Sequence, residues 1–403
     1  MGLLSHPDLQ ARPNPTAVYL RHRPETTLLY QIVHENWPEF QAELAIQDKY
    51  LPAYVTQEFE AYLKCGRLEH GFLRVRCESC HDEKLVAFSC KRRGFCSSCG
   101  ARRMADSAAL LVDEILPHQP MRQLSPGMAC IRAMQEQLPR VLSVPFPLRF
   151  LFASQPAVMG KVLGIVYRTI STHLIRKAGY TKTTAQTGAV TLIQCFGGAL
   201  NLNIHFHMIF LDGIYGGINR SPVRFRWVKA PSSDELTQLT HTIAHRVARY
   251  LERQGLLVRD EGNSYLTAEG IDADPESPMN QLLGSSITYR IAVGPQQGRK
   301  VFTLQTLPDC RSDNPFADTL GKVAGFSLHA GVATRAHDRD QLERLCRYIT
   351  RPAVSTKRLS LTRHGKVRYE LKTPYSDGTT HIRFEPLDFM YRMYGMPRAQ
   401  GCA

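Results

Sequence analysis

Two histidines one residue apart, His205 and His207, lie inside an apolar, strand-like run from Ala199 to Leu211. In an extended chain alternate side chains share a face. Asn201, Asn203, His205 and His207 therefore point one way, and Leu202, Ile204, Phe206 and Met208 the other. Imidazole binds divalent metals, and two on one rigid strand form a preorganised half-site. A bare His-x-His is a weak motif, so from this run alone a solvated or hydrogen-bonded sheet face competes with the metal reading.

Cysteines form a second set. Cys77-Glu-Ser-Cys80 and Cys96-Ser-Ser-Cys99 are two C-x-x-C pairs with fifteen residues between them. Two such knuckles can close a tetrahedral thiolate cage on one Zn2+, and a redox pair would not need a twin. Cys65, His70, His81 and Cys90 lie close by and could replace a ligand or build a second site; a buried thiol or a surface histidine is the plainer reading of each. From Lys64 to Arg103 there are ten Lys or Arg against four Asp or Glu. Lys91, Arg92, Arg93, Arg102 and Arg103 flank the second knuckle, with Phe95 between them. That surface suits phosphate contact and base stacking, against the alternative of a solvated rim on a protein-interaction module.

A third set lies on one helix expected over Asp338–Thr350, with Asp338 as N-cap. Leu342, Leu345, Cys346 and Ile349 give it an apolar face by their i, i+3, i+4, i+7 spacing. Tyr348 sits on the flank of that face among Arg344, Arg347 and Arg351. A hydroxyl beside guanidinium groups can attack phosphorus, because the cations neutralise the phosphate and the developing charge. Taken alone, Tyr348 reads more plainly as a packed tyrosine on an amphipathic helix than as a nucleophile.

The elements that must position these groups follow from periodicity and breaks in the 403 residues. Residues 1–60 are helical by pattern, 61–104 form a small zinc-binding module, and 105–140 are a helical connector, its helix expected over Met104–Leu116 from the last residue of the module. Strands are expected at Leu148–Phe152, Gly188–Ile193, Leu202–Leu211, Ser286–Ala292, Lys300–Leu304 and Gly325–His329. Helices are expected over Ala157–Ala178 and Ser233–Gln254, with a polar surface insertion around Asp272–Ser277. A hairpin turns at His364-Gly365. The β-α-β-β order around the histidine strand suits an α+β sheet domain over 141–390, followed by a short tail, 391–403.

Composition narrows the function class. A net charge of +14 with a pI near 9.4 favours polyanion partners, nucleic acid first, over a merely basic enzyme. No apolar stretch reaches membrane-span length, and the start lacks a secretory pattern, so a cytoplasmic protein without membrane partners is expected. Eleven cysteines in such a chain argue for metal or redox use rather than disulfides.

Together these residues resemble a known family. The Ala199–Gly213 run around His205-Phe-His207 resembles the His-hydrophobic-His (HUH) signature of rolling-circle insertion-sequence transposases with an N-terminal zinc-binding domain. Leu85–Cys96, Ser143–Phe150, Leu345–Pro352 and Phe384–Phe389 are similar to the common-region branch of that family. The resemblance implies an antiparallel-sheet HUH nuclease domain with flanking helices. His205 and His207, with His329 as the third ligand, would hold Mg2+ or Mn2+ against a scissile phosphate. Tyr348 would attack, leaving a 5′-phosphotyrosine bond and a free 3′-hydroxyl, and the zinc module would grip single-stranded element ends. Related members often carry two tyrosines four residues apart. Here Arg344 stands four before Tyr348, which makes this a single-tyrosine form. Residues Ser125–Pro139 look inserted, and the end is shorter than the family pattern. A rolling-circle replication initiator or relaxase shares this chemistry; a truncated DNA-binding remnant and a small-molecule metallohydrolase are rivals of other classes.

Overall fold

A computed structural model of the protein describes residues 23–47, 50–92, 94–125, 142–143, 146–217, 222–260, 263–266, 278–292, 294, 296–306, 320–323, 326–375 and 377–394. Arg93, most of the insertion near 125–139 and the tail beyond 394 lie outside the described residues.

The N-terminal part starts with helix α1 (Leu28–Ile46), capped by the Thr27 side chain, which accepts from the Tyr30 N–H. Leu29, Val33, Trp37, Phe40 and Leu44 form its buried face. Helix α2 (Ala53–Lys64) packs beside it, with Phe59 stacked on Trp37 at 4.5 Å between ring centroids. An exposed hairpin follows, β1 (Phe72–Arg76) with β2 (Glu83–Ala87). Helix α3 (Ser97–Leu110) then continues through a π-turn, Leu111–Ile115. It starts a full two turns before Met104, where the apolar pattern alone placed it.

The central sheet has six strands, all paired antiparallel among the described residues: β3 (Met121–Ser125), β4 (Leu142–Ser143), β6 (Ala189–Phe196), β7 (Leu202–Leu211), β13 (Leu320–Val323) and β14 (Phe326–Thr334). Strand β7 is interior. It is flanked on one side by β6 and on the other by β3, with β4 pairing with it near His205. One face of the sheet carries Leu202, Ile204, Phe206, Met208 and Phe210. These pack under α4 (Phe146–Ser154), α5 (Pro156–Lys177), α6 (Ser233–Arg253) and α7 (Pro278–Ile287). The other face carries Ile209 and Leu211, covered by α3, the π-turn and α8 (Arg339–Ile349). The alternation read from the sequence holds, but neither face is solvated.

Two expected strands are helices. Leu148–Phe152 lies in α4, where Leu148, Leu151 and Phe152 reach the core at helical i, i+3, i+4 spacing. Ser286–Ala292 is the end of α7 and a turn; Leu282, Leu283 and Ile287 are its buried residues, and Arg290 makes an isolated bridge to Lys300. Short apolar runs fit either period, and the length of the neighbouring element decides between them.

Smaller sheets complete the chain. A three-stranded sheet joins β5 (Ala185–Gln186), β8 (Gly213–Gly216) and β9 (Arg224–Trp227). Strands β10 (Leu257–Asp260) and β11 (Asn263–Leu266) form a hairpin. The C-terminal sheet runs β12 (Phe302–Gln305), β17 (Thr379–Phe384), β16 (Val367–Glu370), β15 (Leu359–Leu361), and α9 (Pro386–Tyr394) closes the chain's described part. This sheet shares one apolar core with α1, α2 and the cysteine segment; Phe40 meets Tyr391 edge-on at 4.6 Å. The architecture is a mixed helix and antiparallel-sheet fold, and no helix among the described residues is long and apolar enough to cross a membrane.

Candidate metal and nucleophile site

Strand β7 presents His205 and His207 to the face that α8 covers, 5 % and 0 % exposed, with ring centroids 5.1 Å apart. On the neighbouring strand β6, Gln194 pairs in register with His205. Its Oε1 lies 3.0 Å from His205 Nε2 and 3.3 Å from His207 Nε2. Gln194 Nε2 donates to the Ile349 carbonyl at 3.2 Å, which fixes the amide with its oxygen toward the imidazoles. Three potential donor atoms therefore converge on one buried point.

Protonation follows from the partners. His205 Nδ1 faces the Asn203 carbonyl, which can only accept, so Nδ1 carries the hydrogen. Burial, and next the charges of Arg351 and Arg149, hold His205 down to about 4 despite that hydrogen bond. Neutral His205 thus aims a bare Nε2 at another acceptor, Gln194 Oε1, and a cation between them satisfies both. His207 is also held well below its ordinary value, by burial first, then by His205 and Arg351. Its Nδ1 is 2.9 Å from the Gln123 side-chain amide, whose Oε1 is buried without a hydrogen-bond partner. Rotating that amide half a turn lets Oε1 accept from Nδ1–H and leaves Nε2 of His207 bare as well. Two imidazoles and an amide oxygen are a donor set for a borderline or hard divalent ion.

The tyrosine comes from α8. Asp338 caps it, its side chain accepting from Gln341 N–H at 2.9 Å, and Leu342, Leu345, Cys346 and Ile349 bury its apolar face as expected. Half-buried Tyr348 then meets His207 edge-on, with 6.1 Å between centroids and an 86° interplanar angle. Arg351 lies 4.2 Å and Lys372 4.5 Å from the Tyr348 ring centroid. One guanidinium nitrogen of Arg351, Nη1, is buried without a hydrogen-bond partner. Desolvation, with Arg351 and Arg358 nearby, pushes Lys372 down to about 8. Arg344 is exposed, and Arg347 is exposed and paired with Glu343 at 2.6 Å. Of the three arginines read around the tyrosine, Arg351 alone is shown reaching the site.

His329 lies on β14, paired with Ser125 of β3, so β3 stands between it and β7. Gln194, Gln123, Arg149 and Lys372 were not singled out in the sequence. A glutamine inside an apolar strand was the one available signal, at Gln194.

The cysteines are sorted differently from their spacing. Sγ atoms of Cys65, Cys90, Cys96 and Cys99 all lie within 4.8 Å of one another, with Cys65–Cys99 at 3.7 Å, Cys90–Cys99 at 3.4 Å and Cys96–Cys65 at 3.7 Å. A tetrahedral Zn–S4 centre with bonds near 2.3 Å has edges of about 3.8 Å, so the cluster fits zinc. Shared hydrogen bonds hold Cys99 low and Cys96 high, the Cys65 thiol being the largest influence on each. Cys77 and Cys80 are exposed, at the tip of the β1–β2 hairpin, and outside this cluster. Cys96 and Cys99 are thus brought to Cys65 and Cys90 and not to the first knuckle: Cys65 caps α2, Cys90 follows β2, and the packing of Tyr62 and Phe95 at 4.9 Å draws these segments to the start of α3. Lys91 and Arg102 are exposed, whereas Arg103 is used internally, donating to the carbonyls of Lys91 and Arg92 at 3.0 and 3.3 Å.

The cluster is mechanically joined to the tyrosine. Helix α3, which carries Cys99, packs along α8; Thr350 Oγ1, which donates to the Cys346 carbonyl at 2.8 Å, lies 3.4 Å from the Met104 carbonyl, and Gly100 lies so close to Pro352 that an added Cβ would stand 2.9 Å from the Pro352 ring.

Comparison with known families agrees with this layout. Residues 188–396 match the family Y2_Tnp, described as "Putative transposase", and residues 32–125 match the family described as "Transposase zinc-binding domain". No curated protein and no solved structure matches the chain.

Proposed function

This chain belongs to the transposase family whose model spans residues 188–396, and from that premise we propose that it nicks and rejoins single-stranded DNA at element ends through Tyr348, in rolling-circle transposition. The observation that carries this reading is the edge-on seat of Tyr348 on His207, beside the convergence of His205, His207 and Gln194. We assign residues from β3 to α9 to an HUH-type nuclease domain, so its start lies ahead of 141, with the zinc module before it.

His205, His207 and Gln194 would hold Mg2+ or Mn2+, which when bound supplies Lewis-acid polarisation of the scissile phosphate. His329, with β3 between its strand and β7, is the alternative third ligand. The Arg351 Nη1 without a partner is available to a phosphate oxygen, and Arg351 and Lys372 place positive charge against the Tyr348 ring, where phosphate charge develops. Tyr348 Oη gives up its proton and forms a bond to phosphorus, and the bond from phosphorus to the 3′ oxygen breaks. That oxygen takes up a proton and leaves as a 3′-hydroxyl, and the 5′ end stays on the protein as a phosphotyrosine. A later 3′-hydroxyl reverses the step, so no nucleotide cofactor is consumed. Zn2+ on Cys65, Cys90, Cys96 and Cys99 is structural.

A rolling-circle initiator or relaxase would use the same chemistry; the linked zinc-binding family match favours a transposase. The test is incubation with end-labelled single-stranded DNA, with Mg2+ or Mn2+ and with chelator. Metal-dependent nicking is expected. Binding without nicking under any divalent ion identifies a non-catalytic remnant.

A further inference from the structure

Trp227 ends β9 on the surface, 59 % exposed, although an indole is among the costliest side chains to leave in water. It is nevertheless held in place. Its Nε1 donates to Asp212 Oδ2 at 3.3 Å, and Asp212 is gripped by Arg122 through two bonds of 2.7 and 2.9 Å. Arg122 neutralises that carboxylate, so the anchor does not repel anions. Opposite Trp227 in register stands Gly213, where an added Cβ would sit 2.3 Å from the Arg226 carbonyl. Glycine there leaves that side of the ring without a cross-strand side chain.

The ring also points to the relevant side of the molecule. Residues 225 and 227 share a face of β9. Phe225 and its partner Tyr215 pack against the cluster containing Leu342 and Leu345, against which Tyr348 also packs. Strand β7 leads from His207 to Leu211, about 13 Å, and Asp212, the Trp227 anchor, follows directly. Exposed Lys229 follows the indole just beyond the strand, while Arg224 and Arg226 are exposed on the opposite face of β9, where Arg226 stacks over Tyr180 at 5.3 Å.

We propose that Trp227 is a base-stacking platform for single-stranded DNA, with Lys229 contacting the phosphates a few nucleotides from the bond at Tyr348. Exposed aromatics interleaved with cations hold single strands with little sequence preference, because every base offers a π-face. This rests on the reading that the substrate is single-stranded DNA, but it concerns binding and needs no cleavage.

The test uses the full chain carrying Tyr348→Phe, titrated with a mixed-sequence single-stranded oligonucleotide. The other tryptophan, Trp37, is buried, so solvent-facing emission comes from Trp227. Saturating oligonucleotide should quench it. Trp227→Ala should weaken binding about tenfold or more, Trp227→Phe should retain most of the affinity, and duplex of the same sequence should leave the emission unchanged. Should the alanine variant fail to fold, wild-type quenching and the phenylalanine variant decide. Unchanged emission, or equal affinity of Trp227→Ala, overturns the platform while leaving metal-dependent nicking intact. No single-strand binding at all overturns the platform and the substrate reading together.

Discussion

The rings of His207 and Tyr348 meet edge-on at 6.1 Å, although one lies on an interior strand and the other on a helix much later in the chain. Gln194 ties the two elements together, with its Oε1 between the imidazoles and its Nε2 on the carbonyl next to Tyr348. Removing this amide should damage metal binding and tyrosine placement together. Gln194→Ala is expected to raise the Mn2+ concentration for half-maximal nicking at least about tenfold, and Gln194→Glu to preserve it. His329→Ala should leave that midpoint within a factor of about two of wild type if Gln194 is the ligand. A larger shift for His329→Ala moves the ligand assignment to β14.

The buried histidines impose a pH dependence on stability without metal. His205 is held down to about 4 against an ordinary value of 6.5, and His207 moves in the same direction. Between those limits the unfolded chain binds protons that the folded chain refuses, so stability rises with pH across the window and is lost as pH falls from 6.5 toward 4. For His205 the loss by pH 4 is about 3 kcal/mol. Urea unfolding in chelator at pH 7 and pH 4.5 should show this loss, and His205→Gln should show less of it. A pH-independent midpoint contradicts buried neutral imidazoles.

Metal content separates the two cysteine sets. Cys65→Ser or Cys90→Ser should abolish tightly bound zinc and destabilise the fold, since removing one thiolate opens the cage. Cys77→Ser with Cys80→Ser should retain the zinc held by the buried cluster. Elemental analysis of purified variants checks both, and loss of that zinc in the Cys77/Cys80 variant would restore the knuckle pairing.

Gly100 reports on the contact between the zinc module and the tyrosine helix. Alanine is intrinsically better than glycine in a helix by about 1 kcal/mol. Here its Cβ would press on Pro352 at 2.9 Å, one residue after Arg351. Overpacking costs about 1–3 kcal/mol, so Gly100→Ala should lower the melting temperature and reduce nicking severalfold. A stabilised, fully active variant would show that the two helices are not rigidly coupled.

Strand β7, helices α5, α6 and α8 and the face alternation around the histidines were legible because each has a long, consistent period or a cap. Strand β3 and helix α4 were not, since short apolar runs fit more than one element and their identity depends on the core they meet. Tyr348 and Arg351 could be singled out on α8, but Gln194 and Lys372 reach the site through strand register and tertiary packing. The thiol cluster shows the same limit. C-x-x-C spacing marked Cys96 and Cys99, while the two other ligands come from a helix end and a strand end brought together by aromatic packing.

Tyr348 is the proposed nucleophile, and covalent capture of cut DNA tests that role most directly. Wild type and Tyr348→Phe are incubated with single-stranded element-end DNA, labelled on the downstream fragment whose 5′ phosphate is expected to remain attached, in Mg2+ or Mn2+, then denatured and digested with a protease. Mass analysis should find the nucleotide on the peptide containing Tyr348 in wild type and no covalent adduct in Tyr348→Phe. An adduct that survives in Tyr348→Phe, or that maps to another tyrosine, rules out Tyr348 as the nucleophile.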